Sequence, residues 1–245
     1  MRMIVAVLIA TIFSSAGAAP AQDDFKLPPP ATAPQSPLQL WATHYYVHTA
    51  TELPEGVPLR NKAGEALTGP VSPRDWCLGA IEGTVQVGKD MTLNYAGAAG
   101  KSQVDCAAVL KINPVKQPWI TSTGKSYFTK ARGAYGDGVA GFVLVPLRTI
   151  AVDRKKIAYG TVLYIPQARG LDIATSSTAS FKHDGYFFAG DTGGAIKGNH
   201  IDVFCGNKSE SCLPALIKSD SKQTFEAFVV NDPQIKATLQ ALHKP

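Results

Sequence analysis

Gly190-Asp191-Thr192-Gly193-Gly194-Ala195-Ile196-Lys197-Gly198-Asn199-His200-Ile201-Asp202-Val203-Phe204 decides how this chain folds. The aromatic run Tyr186-Phe187-Phe188 leads into it and ends at one carboxylate, Asp191. A glycine-studded loop follows, and a second carboxylate, Asp202, lies inside the next apolar run. Acidic groups set at the edge of a core, on backbone turned by glycines, are suited to acid/base chemistry on a sugar or a similar substrate. Asp191 and Asp202 are therefore the candidate catalytic pair.

Working outward, the strand signals accumulate. Leu40 to Val47 is aromatic and β-prone. Thr149 to Val152, Val162 to Ile165, Tyr186 to Ala189, Ile201 to Phe204 and Phe225 to Val230 are further short apolar runs between glycine and proline turns. A hairpin is expected around Gly88-Lys89-Asp90. Many short strands with few helices predict a mainly β fold, a barrel or sandwich. Ser72-Pro73 reads as a helix start, with the helix running to about Ala80. Asp232-Pro233 reads as another, backed by Ile235, Leu239 and Leu242 on one face. Residues 209–217 fit a short helical turn. Residues 96–141, rich in Gly, Lys and polar groups, read as a long insertion with limited regular structure.

The chain has 245 residues and a net charge of +5. That mild, dispersed excess serves solubility or proximity to anionic cell-wall polymers, and no nucleic-acid motif accompanies it. Arg2, the apolar stretch Ile4 to Phe13 and the small residues Ser14 to Ala18 read as a cleaved export signal over residues 1–18. The apolar stretch is too short to span a bilayer comfortably, so no integral membrane segment is expected in the mature protein. Residues 19–37, with six prolines, read as a disordered tether, which starts the folded part near Leu38. Four cysteines in an exported chain suggest two disulfides, and three pairings are possible. Local closure of Cys205 on Cys212 across a polar loop favours that pair together with Cys77–Cys106. Without a CxxC pair or a nearby histidine cluster, no metal site is implied.

Ala151-Val152-Asp153, Gly160-Thr161-Val162-Leu163-Tyr164-Ile165-Pro166, Asp191 to Gly198 and Ile201 to Phe204 together resemble the three-aspartate (3D) domain. That domain belongs to the double-psi β-barrel superfamily and also forms the catalytic core of the lytic murein transglycosylase A family. The resemblance covers residues 142–206 closely. Trp41-Ala42-Thr43-His44-Tyr45-Tyr46 is similar to the Thr-x-Tyr opening strand of expansin-like barrels. It implies a six-stranded double-psi β-barrel over residues 38–245 as a single domain.

The resemblance further implies that the chain acts on peptidoglycan glycan strands as a monomer in the periplasm or outside the cell, without cofactor or metal. Asp202 would be the acid/base, Asp191 its supporting neighbour and Asp153 a further member of the set. Thr43, Tyr45, Gly193, Gly194 and Lys197 are the candidate substrate-binding residues. A turn-capping role is the competing reading of Asp153, and plain solvation that of Lys197. His200 is a candidate for the groove rim, His183 reads as a loop residue, and His48 and His243 read as surface. The expected reaction cleaves between N-acetylmuramic acid and N-acetylglucosamine to leave a 1,6-anhydro product. Two alternatives stand beside it: a non-catalytic expansin-like binding module, and a polysaccharide hydrolase, which needs a second carboxylate across from Asp202, with Asp153 as its candidate.

Overall fold

The computed structural model describes residues 25–31, 36–174 and 180–245. Residues 1–18, read above as an export signal, and residues 19–24 and 32–35 of the expected tether lie outside them. The chain opens with β1 (Leu38–Tyr45), followed by β2 (His48–Ala50), β3 (Val57–Arg60) and β4 (Ala66–Val71). Helix α1 (Pro73–Glu82), β5 (Thr84–Val87), β6 (Met91–Ala98), the short helices α2 (Cys106–Leu110) and α3 (Ile120–Thr123), and β7 (Ser126–Lys130) come next. The remainder is β8 (Thr149–Ala151), β9 (Val162–Tyr164), β10 (Asp172–Ala174), β11 (Ser180–Lys182), β12 (Tyr186–Asp191), β13 (His200–Phe204), β14 (Phe225–Val229) and α4 (Pro233–Leu242).

Six of these strands close into a barrel in the order β1-β13-β8-β12-β9-β14. β1 and β13 are parallel, as are β12 and β8, and the other neighbours are antiparallel. This is the six-stranded double-psi barrel that the sequence implies. Its strands are the six apolar runs of the sequence, and their alternation sorts the side chains. Leu40, Ala42, Ile150, Leu163, Phe187, Ala189, Ile201, Val203 and Ala227 fill the interior. Tyr164, Tyr186 and Phe188 point outward, where α4 covers them with Ile235 and Leu239. Asp232 caps α4 by accepting from the amides of Gln234 and Ile235. A third face, formed by β1, β13, β8 and the end of β12, carries the candidate site. Around residues 209–217 there is a hydrogen-bonded turn at Leu213–Ile217 and no helix.

The tail of the tether is corrected by the structure. Phe25 is only 5% exposed and joins the barrel core cluster. Its ring lies 3.9 Å from the guanidinium carbon of Arg148, a fully buried side chain. Both Arg148 Nη1 and Nη2 donate to the Asp184 carboxylate, at 2.6 and 2.8 Å, and Nη1 also reaches the Tyr186 carbonyl. The Leu27 amide donates to Asp184, and the Tyr186 hydroxyl donates to the Pro28 carbonyl. Proline content hid the docking because residues 25–31 bond as an extended strap, through side chains elsewhere.

Residues 96–141 are corrected too. They supply the end of β6, helices α2 and α3 and strand β7, and β7 completes a four-stranded sheet in the order β2-β5-β6-β7. The hairpin at Gly88-Lys89-Asp90 joins β5 and β6 of this sheet. The sheet and α1 bury a core of their own, with Leu59, Val71, Trp76, Val85, Leu93 and Phe128. The disulfide Cys77–Cys106 staples α1 to α2 over it, and Cys205–Cys212 closes the loop after β13. Thus the chain from β2 to β7 is a second layer with its own hydrophobic centre, beside the barrel. Ser72 caps α1 by accepting from the Asp75 amide, and Gly83 ends it in the left-handed region at φ 84°.

Two expected surface histidines are half-buried or buried instead. His48 bonds Asp75 at 2.9 Å, and His243 stacks on Phe188 with Nε2 3.0 Å from the Thr149 hydroxyl. His183 is buried against Phe187, and burial lowers its pKa to about 4, so it sits in the core as a neutral ring.

Removing Asp184 leaves the Arg148 guanidinium buried without its counter-charge. Asp184→Ala is expected to cost about 3–5 kcal/mol and Phe25→Ala about 3 kcal/mol in urea unfolding. The double variant loses less than the sum, because both side chains act on Arg148.

Candidate active site

The site is built from strand register. Thr43 of β1 lies opposite Asp202 of β13. Asp202 and Asp191 each lie opposite Ala151 of β8, from its two sides. Thr43, Asp202, Ala151 and Asp191 therefore form one row across four adjacent strands. Neighbouring strands are about 4.8 Å apart, so the two aspartate backbones are separated by roughly 10 Å, with only the Ala151 methyl between them.

A β-bulge in β12 makes this possible. Phe188 and Ala189 pair in sequence with Thr149 and Ile150, but Asp191, not Gly190, falls opposite Ala151. The extra residue turns the Asp191 side chain to the outer wall; regular pairing would aim it into the barrel. Gly190 occupies a crowded position. A Cβ there would stand 3.1 Å from Phe188 and 3.3 Å from Thr149. From the other side the loop before β8 presses on it: the Val139 amide donates to the Gly190 carbonyl, and a Cβ on Gly138 would lie 2.1 Å from that oxygen.

Each carboxylate has a dedicated hydroxyl partner. Thr43 Oγ1 is 2.6 Å from Asp202 Oδ1, and the Tyr45 hydroxyl donates to Asp191 Oδ2 at 2.7 Å. Thr43 and Tyr45 are two residues apart on β1 and so share a face. Beneath them Tyr45, Ile196, Ala151, Leu144 and Phe204 form a small apolar cluster, with Tyr45 and Phe204 rings 5.1 Å apart. Both aspartates are half-buried. Burial against this floor raises each carboxyl to about 6. Thr43 and His44 oppose the rise at Asp202, Tyr45 and the Thr192 amide oppose it at Asp191, and the charge of Asp202 pushes Asp191 further up. Burial, with Asp191 and Asp202 beside it, also lifts the Tyr45 phenol well above its ordinary value.

A third carboxyl comes from the second layer. Glu82 is the last residue of α1, and its Oε2 accepts from the Tyr46 amide at 3.2 Å, where β1 leaves the barrel. Burial raises Glu82 to about 7; the Tyr46 bond lowers it, and the charge of Asp202 adds to the rise. Sequence reading misses Glu82 because nothing in the spacing of a ten-residue helix reports which strand its end will meet. A glutamate directly before a helix-terminating glycine is the only signal available.

The other expected residues fall in two groups. Thr43 and Tyr45 stand in the acidic row. Asp153 is held elsewhere: Oδ1 accepts from the Lys155 amide and Oδ2 from the Gly198 amide, which ties the loop after β8 to the loop before β13. These bonds lower its pKa, and Lys197 contributes as a nearby cation. Lys197 accordingly stands by Asp153 and is exposed. Gly193 abuts Ile196, whose Cγ1 would lie 2.7 Å from a Cβ there, whereas Gly194 is exposed with open space beside it. Among the described residues, no group of three His, Cys, Asp or Glu side chains is placed to hold a metal ion.

Fold and site define a double-psi barrel protein with a half-buried acidic row on its outer wall. Residues 148–214, which include both aspartates and the bulge, match the family model of the 3D domain. Several solved structures are similar. The structure of Escherichia coli MltA with bound chitohexaose shares 18% identity over 78% of this chain and 71% of that chain, with a TM-score of 0.49. The membrane-bound lytic murein transglycosylase from Agrobacterium tumefaciens shares 15% over 82% and 77%, with a TM-score of 0.46. LtgG, a lytic transglycosylase of Burkholderia pseudomallei, shares 20% over 78% and 72%, with a TM-score of 0.40. No curated protein sequence matches the chain.

The raised carboxyls have a consequence for stability. The folded protein keeps these protons to about pH 6, whereas an unfolded aspartate loses its proton near 3.8. Raising pH through that window removes stability, since the folded state must then hold buried charge. Asp191→Asn and Asp202→Asn are each expected to stabilise the protein at pH 7.5 by roughly 1–3 kcal/mol, and to have little effect at pH 4, in urea melts at the two pH values.

Proposed function

We propose that the chain is an exported enzyme that cleaves peptidoglycan glycan strands by lytic transglycosylation. The observation that carries this reading is the half-buried pair Asp202 and Asp191 on one face, each with its carboxyl raised to about 6 and its own hydroxyl partner. A carboxyl that holds its proton into the working pH range serves as a general acid. Export is supported by the leader-like first eighteen residues and by two disulfides, which persist in oxidising compartments.

Asp202, protonated, gives its proton to the glycosidic oxygen, and the bond from that oxygen to C1 of N-acetylmuramic acid breaks. The sugar's own C6 hydroxyl then attacks C1 and closes the 1,6-anhydro ring. The proton released from that hydroxyl returns to the Asp202 carboxylate, so no water is consumed and the enzyme ends as it began. Asp191, when ionised, favours the cationic character that develops at C1. Thr43 and Tyr45 fix the two carboxyls. Gly194 in the open loop and Lys197 near Asp153 are positions for substrate contact.

Hydrolysis is the second reading, and Glu82 favours it as the carboxylate facing the barrel from the other layer. The acidic row rests on a closed apolar floor, which supports catalysis over the open aromatic platform of a binding module.

Purified sacculi incubated with the protein are expected to release 1,6-anhydromuropeptides, identified by mass spectrometry. Asp202→Asn is expected to lower release by at least 10²- to 10⁴-fold. The rate should fall as pH rises through about 6, where Asp202 gives up its proton. Reducing-end products that vanish in Glu82→Gln would establish the hydrolase, and binding without release would establish the module.

A further inference from the structure

The second layer holds a cleft that the acidic row does not use. Its volume is about 380 Å³, within the roughly 300–1,000 Å³ of small-molecule sites. Three segments meet there: the turn between β3 and β4, the loop after β6 and the start of β7. Arg60 and Lys62 come from the first, Lys101 from the second, and Lys125 directly precedes β7. No acidic side chain lines the cleft. Among the described residues, none of these four cations is paired with a carboxylate. Glu65, in the same turn as Lys62, accepts from the Asn61 side-chain amide instead.

Backbone bonds fix this frame. The Ala99 amide donates to the Lys125 carbonyl at 3.0 Å, and the Gln103 amide to the Gly124 carbonyl at 2.7 Å. The two lysine-bearing loops are thereby zipped together, and the Gln103 side chain adds a bond to the Ser126 carbonyl at 2.8 Å. Arg60 is tied to its own turn by Nη1, which donates to the Gly64 carbonyl at 2.8 Å. Tyr127 also lines the cleft. It pairs with Gly97 at a bulge in β6, and a Cβ on Gly97 would run into the phenol, so the ring lies across the glycine. The result is an aromatic surface with cations around it. Like charges gathered at one concavity repel one another and favour an anion that joins them. A carboxylate gains charge-assisted hydrogen bonds from such cations, while the tyrosine ring and Ala99 suit methyl and methylene groups.

We infer that this cleft binds short acidic peptides and recognises their carboxylates through Arg60, Lys62, Lys101 and Lys125. The source of such peptides, a deduction that rests on the function proposed above, is the peptide branches of the same glycan strands. β6 joins the two places. The Tyr95 amide donates to the carbonyl of Gly83, the residue after Glu82. Ala99, where the cleft begins, is four residues further on, about 13 Å along an extended strand. A branch of four or five residues covers that length. A concavity of this size takes a short segment, and neither a flat membrane nor a folded partner enters it.

The test is a calorimetric titration of the full chain with the peptide freed from sacculi by amidase digestion. The same peptide with its carboxyls amidated and a poly(glycerol phosphate) chain run beside it. The free acid is expected to bind, and amidation to weaken binding by at least about tenfold. Lys101→Glu with Lys125→Glu should cost at least as much, whereas Lys101→Arg with Lys125→Arg keeps the binding. Both lysines are exposed, so an unchanged urea midpoint is expected for either double variant. Absence of binding, equal binding of the amidated peptide, no loss on charge reversal, or tighter binding of the phosphate chain overturns the proposal. If the peptide binds as expected but sacculi are not cleaved, the cleft stands and the transglycosylase reading falls; cleavage without peptide binding gives the reverse.

Discussion

One extra residue in β12 governs the site. Strand side chains alternate strictly, so a regular β12 would send Asp191 into a barrel lined by Ala189, Ile150 and Val203, where a carboxylate has no partner. The bulge at Gly190 instead delivers it to the wall that Asp202 already occupies. The bulge is itself braced from two sides, by Phe188 and Thr149 of the neighbouring strand positions and by the backbone of Gly138 and Val139 in the loop before β8. Position thus comes from backbone register, and the side chains inherit it.

The two layers meet at the same place. β1 carries Thr43 and Tyr45 along the barrel wall and passes through Val47 directly into β2 of the second sheet. Helix α1 returns Glu82 to the amide of Tyr46 at that crossing. Burial therefore raises three carboxyls at this crossing, and the charge of Asp202 adds to the rise at Asp191 and Glu82. Elsewhere the structure spends its charges differently. The buried Arg148–Asp184 pair is joined through both terminal guanidinium nitrogens and anchors the strap at Phe25.

The barrel was legible because its six strands are apolar runs whose alternation is strong enough to survive without context. Of the second sheet only the β5–β6 hairpin was, because β2 and β7 lack that alternation. β7 is Ser-Tyr-Phe-Thr-Lys, and β2 is three residues long. These segments become strands only by pairing with partners far away in the chain. The same limit applied within the site. Asp191 and Asp202 stood out by their company of glycines and aromatics, and a glycine inside an apolar run is the usual mark of a bulge. The bond from Thr43 to Asp202 depends on a parallel register between β1 and β13, which no local pattern encodes. Phe25 was lost among prolines, although a lone aromatic in such a stretch has little reason to be there unless it docks.

Ala151 is the smallest side chain in the acidic row, and it stands between the two acids. A methyl group there works as a spacer of fixed width, since β8 is hemmed in by β12 and β13 and has no freedom to move aside. Any bulkier residue would rise between Asp191 and Asp202 as a fence, insulating one from the other and turning one shared basin into two shallow ones. The reach of this protein's chemistry is therefore set partly by a residue that carries no chemistry at all.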